Sequence, residues 1–411
     1  MQIKPILSAM RHHKAGVILI ALQIALTLAI VCNALFIIQQ RLTHLTEPTG
    51  IDESNVFVIS NQWATESSEQ QADAKVRADM EAIRRLPSVR DASPTNSYPL
   101  RGSGWDDYIM LTPDQTQKTT DADIYLGDEH LLDTLGVKLI AGRNFRSDEV
   151  GRIGLRENRT ASPAVIVTKA LADRLYPDGS AVGKPLYEMS TTPSTIIGII
   201  DLLQDQNVHT GKAPYAYQSV LRPLRQDNSD GLFYIVRAKP GQLAAAMREV
   251  PPALYAQNRM RIIDPDDGEL SFGEVRKRIY ASDRGMAILM GIICAVLLAI
   301  TASGIFGLTS FWVGQRRRQI GVRRALGATR RDILNYFLTE NFLISVSGVV
   351  VGVVMAVEIN VWMISHFEMA RLSLAYVLIG LIVPLLLGQL ATLVPALRAS
   401  RVSPAEATRS T

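Results

Sequence analysis

The sequence predicts an α-helical membrane protein with four transmembrane helices and a large α/β (α+β) extracytoplasmic domain inserted between the first and second spans. Three observations predict it. Four runs, residues 15–38, 285–315, 341–367 and 372–397, are almost free of charge over membrane-spanning length, and only Glu358 interrupts the third. Residues 39–284 instead mix charges of both signs with short apolar strands, amphipathic segments and turn residues. Arginines gather beside the apolar runs in three clusters that one side of a membrane can hold together.

A helix needs roughly 20 apolar residues to cross ~30 Å of hydrocarbon. Each run suffices, and the spans are drawn at 15–38, 285–313, 341–366 and 372–397. The first run is longer than a signal-peptide core and no small-x-small cleavage site follows it, so it is expected to stay as a span. Val31, ahead of Cys32, is also unlike the small residue that lipoprotein processing prefers. Arg11 and Lys14 precede the first span, and Arg316, Arg317, Arg318, Arg323, Arg324, Arg330 and Arg331 lie between the second and third. Arg398, Arg401 and Arg409 follow the fourth. Basic residues mark cytoplasmic flanks. Residues 1–14, 314–340 and 398–411 are therefore expected inside and 39–284 outside, since long domains cross largely regardless of charge.

Within 39–284, "NVFVIS" (55–60) reads as a strand and "EQQADAKVRADMEAIRRL" (69–86) as an amphipathic helix stopped by Pro87. "PAVIVT" (163–168) reads as a strand followed by the short helix "KALADRLY", and "STIIGII" (194–200) as another strand after the turn glycines of "DGSAVGK". "GLFYIVRAK" (231–239), a helix over 241–257 and "RMRIID" follow. Residues 268–284 look helical and are expected to run unbroken into the second span as a stiff lever. Strands alternating with helices argue an α/β or α+β domain, whose distal lobe is placed at about residues 90–225.

Several function classes drop out. With 43 Lys+Arg against 39 Asp+Glu the net charge is only +4, and 6% aromatics leave no obvious stacking platform, so no nucleic-acid partner is expected. Cys32 and Cys294 both fall in spans and read as packing residues, so the outer domain must fold without disulfides. The histidines (His12, His13, His44, His130, His209, His366) form no metal-binding spacing. "GSG" around Ser103 lacks the outer glycine of a nucleophile elbow. "DPDDGE" (264–269) lacks the alternating ligands of a calcium loop and reads as a solvated turn capping the next helix. No G-x-x-x-x-G-K-[ST] occurs; any ATP is expected to be bound by another chain. No catalytic, cofactor-binding or metal residue is assigned.

Small residues at four-residue spacing, Ala299, Ser303 and Gly307 in the second span and Gly348 and Gly352 in the third, let helix backbones approach closely, within a subunit or between two. Glu358 counts to near the outer interface, where snorkelling or a water-filled vestibule would serve it. Between these spans lies "QRRRQIGVRRALGATRR" (315–331), with seven arginines and two glycines. If residues 321–333 are helical, Val322, Ala325, Leu326, Thr329 and Ile333 share one stripe while Arg323, Arg324, Arg330 and Arg331 face the other way. A lipid anchor needs the arginines but no apolar stripe. Gly321 and Gly327 favour a short helix over a long one.

The stretch "RRRQIGVRRALGATRRDI", followed by "ENFLISVSGVVVG", resembles the cytoplasmic signature of the MacB/FtsX-type permeases of ABC transporters. "PALRASRVSPAEATR" (395–409) looks like that family's C-terminal signature. "LGVKLIAGRNF" (135–145) and "VTKALADRLYPDGSAVGKPL" through "IIGIID" are similar to the MacB-type periplasmic core domain. Gln319 stands where the family usually has an acid, and Thr408 where it usually has Leu.

The resemblance implies a non-catalytic subunit of the bacterial inner membrane, working as a dimer of identical or sister permeases with a separate dimeric ABC ATPase that binds ATP and Mg. It implies mechanotransmission, in which the ATPase moves the second-span stalk and the outer domains and opens no pore. A periplasmic adaptor and outer-membrane duct are further partners it suggests. The ATPase contact would fall on Ile320, Val322, Arg323, Arg324, Ala325, Leu326, Gly327, Ala328 and Thr329. Export of a peptide, lipopeptide, antibiotic or similar amphiphile is the leading expectation. An FtsX-like regulator of a cell-wall hydrolase and a lipoprotein-release permease are the alternatives.

Overall fold

The computed structural model describes residues 14–64, 68–154, 162–188, 190–207, 215–226, 232–367 and 371–401. Arg11, His12, His13, His209, Thr408 and Arg409 lie outside the described residues. The chain forms two compact units, residues 46–281 and the remainder on either side of them. The first described element is helix α1 (Lys14–Leu45).

The unit formed by residues 46–281 begins with β1 (Val56–Trp63), α2 (Glu69–Arg84) and β2 (Val89–Thr95). There follow β3 (Asp106–Met110), β4 (Thr120–Leu126), α3 (Leu131–Leu135), β5 (Leu139–Gly142), β6 (Gly151–Ile153), β7 (Ala164–Thr168) and α4 (Lys169–Leu175). Next come β8 (Pro185–Glu188), β9 (Ser194–Ile200), β10 (Ser219–Arg222), β11 (Leu224–Gln226) and β12 (Leu232–Ala238). The unit ends with α5 (Leu243–Gln257), β13 (Arg261–Ile262), β14 (Glu269–Ser271) and α6 (Phe272–Ile279).

In one sheet β12 lies antiparallel between β1 and β2, and β13 and β14 both pair with β1. Helix α2 starts at a reciprocal capping box, Ser68 with Gln71, which satisfies two otherwise orphaned N–H groups. Its apolar residues recur every three or four positions: Ala72 is buried, and Val76, Met80 and Ile83 bury together with Phe57, Ile59, Val236 and Leu254. Arg261 and Asp79 are paired at 2.7 Å in this core with side chains only 0% and 1% exposed. The Tyr234 hydroxyl donates to Asp79 at 2.7 Å, and Arg261 also donates to the Asn61 side-chain oxygen at 2.8 Å.

The second sheet runs β5-β9-β7-β10-β4-β3-β8, and β8 returns to pair with the start of β9 through Ser194 and Thr195. The sheet thus closes on itself, removing most of the open edge that would otherwise invite strand pairing. Val165, Val167, Ile124, Leu126, Ile196 and Val220 share the core on one side of it. Arg222 is buried between Glu188 (2.8 Å) and Asp107 (3.2 Å). Burial pushes both carboxyls above their usual range against the opposing pull of the Arg222 guanidinium.

The helical lever over 268–284 is corrected. Residues 269–271 add a strand to β1, Ser271 caps α6, and the helix is interrupted at Tyr280 (φ −91°, ψ 10°) before α7 (Ala281–Gln315) begins. Ser271 and Glu274 form a second reciprocal capping box, so the polar residues after "DPDDGE" start the helix later than its periodicity suggested.

In the other unit, α7 is followed by α8 (Arg317–Ala325), α9 (Arg330–Phe367) and α10 (Leu374–Ser400). Among the described residues, helices α1, α7, α9 and α10 are long and apolar enough to cross a membrane. Ile20, Ile24 and Leu28 of α1 are fully buried with Ile305 and Ile344. Between apolar helices, hydrogen bonds and close backbone packing replace the hydrophobic drive. Thr27 and Thr301 hydroxyls meet at 2.7 Å, Gln23 donates to the Ile300 carbonyl at 3.1 Å, and Asn33 donates to the Ala356 carbonyl at 3.1 Å. Cys32 and Cys294 are buried free thiols.

The small-residue motifs divide. A Cβ on Gly348 would lie 2.6 Å from the Ala21 carbonyl oxygen, and one on Gly352 would lie 2.9 Å from that of Ala25. These glycines seat α9 against α1 within the chain. Ala299, Ser303 and Gly307 are exposed on α7, with nothing within 4 Å of Gly307's missing Cβ. Glu358 is also exposed. Gly348→Val is therefore expected to lower the thermal stability of the detergent-solubilised chain by about 1–3 kcal/mol through overpacking. Gly307→Val, at an open position, should change it by under ~0.5 kcal/mol. Equal stability for the two variants would contradict the α1–α9 contact.

Candidate functional site

The segment between α7 and α9 is built by three local devices. The first is the end of α8, where the Leu326 N–H still bonds the Val322 carbonyl at 3.0 Å. The second is Gly327, whose φ of +101° is open only to glycine at little cost. There the Ala328 N–H returns to the Arg323 carbonyl at 3.1 Å, satisfying a helix-end acceptor. The third is Thr329, which caps α9: its hydroxyl accepts from the Asp332 N–H at 3.2 Å, and the Asp332 carboxylate accepts the Thr329 N–H at 2.9 Å.

These devices correct the single stripe expected over 321–333. The helix stops at Ala325, Gly327 reverses the chain, Thr329 becomes a cap, and Ile333 turns inward. Ile320 is likewise buried, packed with Val313, Ile333, Phe337, Ala396 and Ala399. It anchors α8 to the bundle and leaves no side chain for a partner. Gly321 is buried beside it, and Ala328 is half-buried against the same cluster. What remains outward is a short apolar face: Val322 is 49% exposed, Leu326 is 83% exposed, and Ala325 is exposed between them. Spacing at 322, 325 and 326 puts all three on one side of the helix, opposite Ile320.

The arginines fall into two groups. Arg316 donates to both oxygens of Glu340 at 3.0 and 2.9 Å, with side chains 11% and 5% exposed. The Arg323 guanidinium sits 4.9 Å over the Tyr336 ring, and Arg324 donates to the Ser400 carbonyl at 3.3 Å. These three fasten the segment to α9 and α10. Arg317, Arg318, Arg330 and Arg331 are exposed around the apolar face. The Arg316–Glu340 pair joins residues 24 apart, and no local pattern in the sequence pointed to it. No group of histidine, cysteine or acidic residues able to hold a metal ion occurs among the described residues.

Comparison with known proteins places both parts of the chain. Residues 17–252 match the MacB-like periplasmic core domain family, more than half of the sequence, and residues 291–404 match the FtsX-like permease C-terminal family. The chain belongs to the MacB/FtsX-type family of ABC permeases. It is 25% identical over 336 residues to the macrolide export ATP-binding/permease protein MacB of Chromobacterium violaceum, covering 79% of this chain and 50% of that one. It is 24% identical over 293 residues to an uncharacterised ABC transporter permease, YvrN, of Bacillus subtilis, covering 70% and 69% respectively. Against the probable syringafactin export ATP-binding/permease protein SyfD of Pseudomonas syringae the identity is 27% over 278 residues, covering 66% of this chain and 39% of that one. The chain thus spans about half, or less, of the two relatives that combine ATP-binding and permease parts. The crystallised periplasmic region of MacB from Actinobacillus actinomycetemcomitans aligns with a TM-score of 0.35 at 13% identity, covering 58% of this chain and 97% of that one. Gln319, on α8, is exposed.

Proposed function

We propose that the chain is the non-catalytic permease subunit of an export system, transmitting the ATP-driven motion of a separate ABC ATPase to its extracytoplasmic domain. The observation that carries this is the outward apolar face of Val322, Ala325 and Leu326, held on a short helix whose other side is anchored by Ile320. Attraction to lipid headgroups alone needs only arginines; the outward apolar face, with Leu326 83% exposed, adds a contact surface beyond it. An apolar patch with a charged rim is the composition of a protein contact. The ATPase, acting as a dimer and carrying ATP and Mg, would seat on this face, and a second permease copy, identical or sister, would complete the pair. A peptide, lipopeptide, antibiotic or similar amphiphile is the substrate class, passed to a periplasmic adaptor and outer-membrane duct where these are present. The names of MacB and SyfD as export proteins support that choice.

The orientation in this reading puts both termini and the 314–340 segment in the cytoplasm, as the arginine distribution argues. Because Cys32 and Cys294 are buried, single introduced thiols report it cleanly. Thr116→Cys, at an exposed position of the β-rich unit, should react with an impermeant thiol reagent in outer-membrane-permeabilised cells, and Thr329→Cys should not. Labelling of Thr329→Cys alone would reverse the topology.

The function itself is tested by purification. The chain alone should hydrolyse no ATP, since it has no phosphate-binding loop sequence. Hydrolysis should appear when an ABC ATPase co-purifies from native membranes. Turnover that persists after every second polypeptide is removed would end the proposal.

A further inference from the structure

One group of side chains inside the helical unit has no partner in a setting where partners are obligatory. Asn341 and Ser345, one turn apart on α9, and Thr392 on α10 are 4%, 0% and 0% exposed. Both amide atoms of Asn341, the Ser345 hydroxyl, the Thr392 hydroxyl and the Gln389 amide nitrogen have no hydrogen-bond partner among the described residues. A Cβ built on Gly388 would lie 3.0 Å from the Ser345 hydroxyl and 3.4 Å from the Asn341 amide nitrogen. The two α9 groups therefore converge on the glycine one turn before Thr392. Pro395, lacking an N–H, leaves the Ala391 carbonyl without its usual helical donor at the same level.

Orphaned polar atoms in a bilayer-spanning bundle are costly, and hydrocarbon cannot satisfy them. Elsewhere in this bundle Thr27 meets Thr301, and Asn33 and Asn360 each make at least one bond through one amide atom while the other amide atom stays unpaired. At Asn341, Ser345 and Thr392 no side-chain polar atom is paired among the described residues. A buried water needs two to four polar neighbours; the Ser345 hydroxyl and the Asn341 amide flank Gly388, and the unpaired Thr392 hydroxyl lies one helical turn further along α10. We propose that Asn341, Ser345 and Thr392 enclose a water-binding site between α9 and α10, the bound water bridging the amide and the two hydroxyls beside Gly388. A bridging water reorients more easily than a direct side-chain bond, so the two helices can shift without parting one. That consequence rests on the proposed motion; the site does not.

Radiolytic hydroxyl labelling of the full chain in nanodiscs tests it, because radicals formed from a bound water oxidise only its immediate neighbours. Ile305, whose Cδ1 lies 3.7 Å from the Gly388 Cβ position, is the reporter, and the fully buried Ile24 is the dry control. Ile305 should be oxidised and Ile24 not. After millisecond mixing into water enriched in oxygen-18, Ile305 should still take up oxygen-16, while the exposed Met260 takes up oxygen-18. The pair Ser345→Ala and Thr392→Val should reduce Ile305 labelling to the Ile24 level, and Thr392→Ser should keep it. An unlabelled Ile305 in the unaltered chain would overturn the site. So would full oxygen-18 uptake there, which marks an open crevice, or labelling that survives the double variant.

Discussion

Asp79→Ala is expected to destabilise the full-length chain by about 3–5 kcal/mol, because it strands the buried Arg261 guanidinium without its carboxylate. Arg261 and Asp79 are 0% and 1% exposed, so the pair lies out of reach of bulk water in the folded chain. The Tyr234 hydroxyl loses its acceptor in the same step. Glu81→Ala is the contrast. It removes the partner of Arg85 one turn along α2, where the side chains are 75% and 65% exposed. Such pairs contribute roughly 0–1 kcal/mol. The double replacement Asp79→Leu with Arg261→Met should recover only the part of the loss due to the stranded charge, because the buried Tyr234 hydroxyl and Asn61 side-chain oxygen still lack their partners. Pulse proteolysis of the detergent-solubilised chain across a denaturant series would measure all three. Equal costs at Asp79 and Glu81 would show that the buried pair carries no special share of the fold.

What could be read in the sequence follows from what each element asks of its neighbours. The four spans were legible because bilayer solvation makes almost every position in a span apolar. Strands β7 and β9 were legible for a related reason: "AVIVT" and "STIIGII" are buried nearly throughout. Helix α2 announced itself by period and by Pro87, while its Ser68 capping box emerged only in the structure. Strands β3 and β4 did not. They carry Asp106, Asp107, Asp121 and Asp123, which suggest loop until distant residues pair with them. Asp107 meets Arg222, 115 positions away, and Asp123 accepts the Gln206 N–H, 83 positions away. The candidate site was half legible. Val322, Ala325 and Leu326 share a face as the periodicity required, but Ile320 and Ile333 are no more apolar than Leu326. Phe337, Ala396 and Ala399 decide which of the three is covered.

Leu326→Glu is expected to abolish coupling to the ATPase while leaving insertion and folding intact. At 83% exposure the side chain supports little of the chain's own structure, so the isolated subunit should change by no more than ~0.5 kcal/mol. Once docked, the same side chain would be buried. Losing a buried leucine forfeits roughly 1.5–3 kcal/mol, and placing an unpaired carboxylate in the contact adds several more. At 1.4 kcal/mol per tenfold, even the smaller of these sums weakens the complex by roughly a hundredfold or more. The matching charge control is Arg330→Gln with Arg331→Gln, both exposed. Arg323 and Arg324 would confound it, because one packs over Tyr336 and the other bonds the Ser400 carbonyl. Under a lipid-anchor reading the order inverts: each arginine would be worth about 1 kcal/mol at an anionic surface, and the leucine nothing. Co-purification of the ATPase and ATP-dependent export, measured for both variants at equal membrane abundance, separate the two. A silent Leu326→Glu beside a failing arginine pair would remove α8 as the docking element.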